Sequence, residues 1–347
     1  MSSRRPVLAA LALATTLAVS ACGSTTASSG NESPTSGAAA PQESTFPVTV
    51  THALGTATIE KKPERVATLG WGNHEVPLAL GIVPVGMSKA VWGDDDKDGV
   101  LPWVEDRIRE LGGQTPVLFD DSDSIDFEAV ANTRPDVILA AYSGLTKEQY
   151  DTLSRIAPVV AYPKTAWTTS LADMVTLNSQ GLGMAAQGEK LAADLDRRIT
   201  DIAAKHPEVA GRTTMFSFID TTDLGKIGFY NDLDPRQQLL TKVGMRTPGA
   251  VAATKDSGAF FSTVSAEKAD TFSDVDLIVT YGKDPAATLR AVRADPLWKR
   301  IPAVQTGRVA VLADDTPLAA VGNPSPLNIA WGLDRYLGEI GSAVTRK

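Results

Sequence analysis

The chain has 347 residues, 43% hydrophobic and 21% charged, with a formal net charge of −8. That balance suits one to three soluble globular domains, and no basic stripe points to a nucleic-acid partner. Three scattered histidines, His52, His74 and His206, argue against a metal centre of clustered imidazoles, and the single cysteine, Cys22, excludes an intrachain disulfide.

The first residues read as an export leader. Arg4-Arg5 is a short positive segment, and Val7 to Val19 is an apolar run too short for a typical transmembrane helix. Val19-Ser20-Ala21-Cys22 resembles a bacterial lipobox, whose cysteine receives a diacylglycerol and becomes the first residue after cleavage. The alternative is a plain secretory signal with an incidental cysteine. The lipobox reading makes 1–21 a lipoprotein signal peptide and Cys22 the lipidation site. The chain would then sit lipid-anchored on the outer face of the cell membrane. Residues 23–45, rich in Gly, Ser, Thr, Ala and Pro, hold no large apolar residue, so 22–45 is expected to be a lipidated tether without a core.

Folding is expected to begin near Phe46. VTVTH (48–52) and TATIE (56–60) alternate as two strands around a Gly55 turn. Short strand patterns follow at 65–70, 83–87, 116–119, 136–142 and 159–162. Helical patterns at 75–81, 102–111, 127–133 and 145–156 lie between them. Apolar runs alternating with helices predict parallel strands covered on both faces.

The stretch 168–206 reads as a helical spine. Ser170 with Asp173 fits a capping box, and Met184, Leu191, Leu195, Ile199 and Ile202 form one apolar stripe. Asp194 with Arg198 and Asp201 with Lys205 are i,i+4 pairs on the polar face. Gly181 and Gly183 predict a break, and Pro207 ends the run. An ordinary surface helix of one large domain is the competing reading. Beyond it the alternation resumes, with strands at 213–219, 226–230, 259–264, 276–281 and 309–312. Helices are expected at 236–244 and 326–340. The fold class is thus α/β. It divides into a first lobe over 46–167, the spine over 168–206 and a second lobe over 207–347. One internal echo supports two related lobes: Glu128 precedes Asp136, and Glu267 precedes Asp276, each Asp opening an apolar strand that ends in Tyr.

ERVATLGWGNHEVPLALGIVPVGM and FEAVANTRPDVILAAYSGLTKEQYDTLSRIAPVVAYP resemble the substrate-binding proteins of ABC transporters for ferric siderophores and vitamin B12. The resemblance covers about 60–342. It implies two Rossmann-like lobes joined by one long helix, ligand held between them, and no catalysis. It implies a ferric siderophore as ligand, no cofactor, ABC permease subunits as partners and a monomeric receptor. Haem, cobalamin or another chelate is the rival cargo, and a surface α/β enzyme is the rival class. The family docks one Glu of each lobe onto Arg pockets of the permease, and the motif positions match Glu128 and Glu267. Each is equally readable as a helix-start acid favoured by the dipole.

Ligand is expected where strand ends of both lobes meet. First-lobe candidates are Trp71, Trp92, Tyr142, Ser143 and Trp167. Second-lobe candidates are Phe218, Tyr230, Arg236, Phe261 and Tyr281. Aromatic faces suit a flat chelate, and Arg236 suits an anionic one. Asp94 to Glu105 fits a calcium-loop spacing, but no helix enters it and Pro102 sits inside it. A solvated acidic turn or a capped helix start is the preferred reading, with no metal. No G-x-S-x-G, phosphate loop or H-E-x-x-H is present.

Overall fold

The computed structural model describes residues 45–345. The leader, Cys22 and most of the tether lie outside the described residues. The chain opens with an antiparallel hairpin, β1 (Val48–His52) and β2 (Gly55–Ile59), in which His52 pairs with Gly55. Five parallel strands then form the first sheet: β3 (Val66–Thr68), β4 (Gly86–Ser88), β5 (Val117–Phe119), β6 (Val137–Leu139) and β7 (Val159–Val160). Their order is β5-β4-β3-β6-β7, so the order reverses at β3 and leaves a crevice beyond the ends of β3 and β6. All three residues of β3, β4 and β6 are buried, as expected of strands covered on both faces.

The second sheet repeats this order as β10-β9-β8-β11-β12. Its strands are β8 (Thr214–Phe218), β9 (Lys226–Tyr230), β10 (Phe261–Ser265), β11 (Leu277–Gly282) and β12 (Val309–Ala313). It is mixed rather than wholly parallel. β9 runs antiparallel to β8, and β10 antiparallel to β9. The cause for β9 is local: residues 219–225 are too few for a crossover, so β9 must turn back on β8. The echo has a structural meaning at its aspartates. The Asp136 carboxylate accepts from the backbone N–H groups of Glu64 and Arg65 beside β3, and the Asp276 carboxylate accepts from Thr213 beside β8. The glutamates differ: Glu128 is on an α-helix (Phe127–Asn132), Glu267 on a 3-10 segment (Ala266–Phe272) kinked at Lys268.

The connection between lobes is a helix over Leu171–Gly181, a turn with Gly183 at φ +69°, and a 19-residue helix over Ala185–Ala203. Ser170 caps the first by accepting from the Asp173 N–H at 3.0 Å. Leu195, Ile199 and Ile202 are buried, whereas Leu191 and Met184 are only half-buried. The two anticipated i,i+4 pairs are replaced. Asp194 meets Arg197, one residue nearer, and Lys205 reaches Asp334 of the closing helix (Asn328–Thr345). That helix lies against Ala185–Ala203 and supplies the acid that Lys205 meets. Helices at Pro285–Ala294 and Pro302–Gln305 are additions to the sequence reading; the Asp284-Pro285 cap and first-turn proline mark the former.

One hydrophobic cluster runs through both lobes, taking Val76 and Trp103 from the first. Met174, Leu195 and Ile199 join it from the connection, with Tyr281 and Leu333 from the second. The Trp103 and Trp331 rings, 5.0 Å apart, seal it beside the closing helix. The two lobes are therefore joined through a packed apolar seam.

Candidate functional site

A cleft of about 610 Å³ opens at the carboxyl ends of the first-lobe strands, facing the second lobe. Gly70 makes its floor possible. Its φ is +77°, and a Cβ there would lie 2.6 Å from the Tyr142 carbonyl oxygen. The tight turn brings the Gly70 N–H to Ser88 Oγ at 2.8 Å and to Asp121 Oδ2 at 3.0 Å, and Ser88 Oγ donates to the same Oδ2 at 2.6 Å. Three strand ends are thus tied by one carboxylate. Asn73, fully buried, holds the next edge. Its Nδ2 donates to Leu69 O and Tyr142 O, and its Oδ1 accepts from Tyr142 N and from Asn178 Nδ2 of the connection.

Trp167 forms one wall at the exit from the first lobe. It adopts φ +61°, which is costly for a bulky side chain and persists only where surroundings enforce it. Two constraints do so. Its N–H donates to Ser143 O at 3.1 Å, and its indole lies across Gly144, where a Cβ would strike the ring nitrogen. Tyr142 meets it edge-on at 5.5 Å.

The second lobe contributes Arg236 from the start of the Pro235–Lys242 helix. Its Nη1 donates to both oxygens of Asp234, at 3.1 and 2.9 Å, and Asp234 is fully buried. The guanidinium also covers the Tyr230 ring at 4.4 Å. Burial works against its charge, but Asp234 and then the hydroxyls of Tyr142, Tyr281 and Tyr230 hold it protonated well above its ordinary range. Arg236 Nε has no acceptor among the described residues.

A strap from the first lobe crosses to the second beside the cleft. Trp92 Nε1 donates to Asp314 Oδ1 at 3.0 Å, the Gly93 N–H to Asp315 Oδ1 at 2.8 Å, and Lys97 Nζ lies 3.1 Å from Asp315 Oδ2. The Trp92 ring sits between Trp71 and Tyr281, at 6.1 and 5.2 Å. Trp71 Nε1 adds a longer bond to Asn323 O at 3.4 Å.

Of the residues singled out in the sequence, Trp71, Tyr142, Ser143, Trp167 and Arg236 line the cleft together. Trp92, Tyr230, Phe261 and Tyr281 are not among its lining residues. They form the aromatic layer behind it, in which Tyr230 meets Phe216 and Phe261 at 5.3 Å each. Phe218 is exposed at the end of β8, outside the lining. Phe260, one residue before Phe261, takes the cleft position, because alternation along β10 turns Phe261 onto Tyr230. Lys89, Asp121, Gln149 and Asn323 also line the cleft and were missed. Lys89, Asp121 and Asn323 follow strands or sit on loops, where no periodicity marks them, and Gln149 lies in the first turn of the Lys147–Leu153 helix, where its side chain also closes the Thr146 capping box. His74, at the rim, is buried and its pKa falls to about 4 through desolvation, so it is neutral near pH 7.

Glu128 and Glu267 are both exposed, in the first turns of segments capped by Asp126 and Ser265. In the acidic turn, Asp94 spends its carboxylate on the N–H groups of Asp96, Lys97 and Gly99, while Glu105 pairs with Arg109 at 3.3 Å. These bonds are those of a closed turn leading into the Pro102–Glu110 helix.

Comparison with known proteins agrees with this architecture. Residues 66–316 match the periplasmic binding protein family. The probable siderophore-binding lipoprotein YfiY of Bacillus subtilis is 29% identical over 308 residues, 86% of this chain and 87% of that protein. The structure of Streptococcus pneumoniae PiaA in complex with ferrichrome matches with a TM-score of 0.82 at 46% identity, covering 86% of this chain and 98% of that one. A periplasmic solute binding protein from Mycobacterium smegmatis matches with a TM-score of 0.67 at 25% identity, over 86% and 98%. Two α/β lobes, a cleft at strand ends between them and a family match over most of the chain lead to one conclusion: this protein belongs to the periplasmic binding protein family, whose members bind a solute for ABC transport and do not transform it.

Proposed function

We propose that the protein is an extracytoplasmic receptor that captures a ferric siderophore and delivers it to an ABC permease for iron uptake. The observation that carries this is the cleft itself. Trp71, Tyr142 and Trp167 of one lobe face Arg236 and Phe260 of the other, in a volume suited to a compact chelate. The similarity to PiaA, solved with ferrichrome, supports the same ligand class. Iron enters as cargo inside the chelate.

Lobes over 46–167 and 207–347, joined by 168–206, would hold the ligand. The leader 1–21 would be removed, and Cys22 with the tether to residue 45 would leave the receptor lipid-anchored at the membrane, working as a monomer. Glu128 and Glu267, exposed on separate lobes, would dock on permease guanidinium groups through bidentate contacts.

The first test is a tryptophan-fluorescence titration of residues 46–347 with ferrichrome, ferric tris-catecholate, ferric citrate, haemin and cobalamin. Saturable submicromolar quenching by a ferric siderophore is expected. A response only to haemin or cobalamin would change the cargo, and no saturable response would overturn the receptor reading. In cells, Glu128→Ala with Glu267→Ala should abolish iron uptake with affinity unchanged, and Cys22→Ser should release the protein from membranes. Lost affinity in the first, or unchanged fractionation in the second, would refute those assignments.

A further inference from the structure

We infer that Asp121 is a specificity-determining residue, whose unpaired carboxylate in the cleft floor excludes anionic ferric chelates and leaves the site to uncharged ones. This rests on the receptor reading and sharpens it to a ligand class.

The argument starts from the charges that line the cleft. Two are cations, Lys89 and Arg236, and two are carboxylates, Asp121 and Asp123. Arg236 carries its own counter-ion, because fully buried Asp234 binds its Nη1 at 2.9 and 3.1 Å from behind. It therefore offers the ligand hydrogen-bond donors without net positive charge. Lys89 is exposed, and its stem lies against the Gly99 backbone. With Asp234 included, the wall carries more negative than positive charge.

Asp121 differs from the other acids of this region in how it is held. Asp123 is exposed, but Asp121 is half-buried and locked by the Gly70 N–H and the Ser88 hydroxyl on the same oxygen. Both donors are neutral, and no Lys or Arg pairs with Asp121 within 4.0 Å among the described residues. A fixed negative charge in a partly desolvated cleft, without a counter-ion, repels a ligand of like sign more strongly than a mobile surface acid does.

Ferric siderophores divide by charge. Three hydroxamates, each losing one proton, cancel Fe³⁺ and give a neutral complex. Three catecholates lose six protons and leave a net charge of −3. The first can approach Asp121 and accept from Arg236 without an electrostatic penalty. The second meets repulsion that Arg236, already neutralised, does not offset. The aromatic walls serve either, so the discrimination falls to the charged groups.

The experiment measures affinities for ferrichrome and ferric enterobactin in the full protein and in Asp121→Asn, at about 50 and 500 mM salt. The amide keeps an oxygen for Gly70 and Ser88. Wild type should favour ferrichrome by at least about 100-fold. Asp121→Asn should improve enterobactin binding about tenfold relative to ferrichrome, so that the preference narrows whatever common change the floor suffers. High salt should improve enterobactin binding to wild type more than to the variant, a readout that needs wild type alone if the variant fails to fold. A wild-type preference for enterobactin, equal shifts for both chelates in the variant, or enterobactin affinity falling with salt would each overturn the filter. Absence of binding by either chelate would instead refute the receptor reading beneath it.

Discussion

Burial of Glu75 should make the stability of the fold fall with rising pH. Its side chain is buried at the start of the Glu75–Ala79 helix. It accepts from Trp103 Nε1 at 2.7 Å and from the Leu327 N–H at 2.8 Å, and so ties the first lobe to the approach to the closing helix. Burial pushes its pKa from 4.5 up to about 7, against the hydrogen bonds from Ser325, Trp103 and the backbone, which pull it down. Below pH 4.5 both folded and unfolded chains hold the proton and no penalty exists. As pH rises, the unfolded chain ionises first, so stability is lost up to the folded pKa and is then level. A rise from 4.5 to about 7 corresponds to roughly 3 kcal/mol. Urea unfolding of residues 46–347 and of Glu75→Gln, from pH 5 to 8, measures this. The variant cannot titrate. It also gives up one acceptor, a pH-independent cost of about 1–2 kcal/mol. The wild type should lose stability relative to it by about 2 kcal/mol or more across that range. Neighbouring His74 acts in the opposite sense, since its depressed pKa removes stability as pH falls from 6.5 toward 4. It is present in both chains and cancels in the difference. A difference that does not change with pH would refute the reasoning.

Two further outcomes follow from the cleft. Trp92→Phe keeps a ring between Trp71 and Tyr281 but removes the donor to Asp314. One lost hydrogen bond of about 1 kcal/mol should speed ferrichrome release about fivefold by stopped-flow fluorescence; an unchanged rate would show that the strap does not hold the lobes together. Gly144→Ala places a methyl group against the Trp167 indole at a backbone angle that alanine accepts. It should cost about 1–3 kcal/mol of stability and weaken ferrichrome binding. Unaltered affinity and tryptophan emission would remove Trp167 from the ligand wall.

Much of the architecture is legible in the sequence because it depends on short-range regularities. The buried runs 66–68 and 137–139, the Ser170 cap and the Gly183 break are each a local preference with a local signal. Strand direction in the second lobe is less legible, since nothing in KIGFY states which neighbour it pairs with. The length of the connection from β8 constrains it only once the pairing is known. Similarly, Lys205, just past the Ala185–Ala203 helix, takes Asp334 of the closing helix, a partner distant in sequence, in place of Asp201.

The chemistry divides along the same line. Composition, the lone cysteine, the alternation of strand and helix and the family resemblance belong to the sequence alone, because each is a property of residues near one another along the chain. Which aromatic faces the cleft does not. The sequence points to Phe261, but the pairing of β10 with β9 turns it onto Tyr230 and leaves Phe260 at the cleft. The charge of the site is also tertiary. Arg236 reads as a cationic anchor until Asp234 is seen buried beneath it. Asp121 reads as one acid among several until Gly70 and Ser88 hold it in the cleft floor. Burial and counter-ion pairing decide what a charged group does, and both are set by elements that meet only in the folded chain.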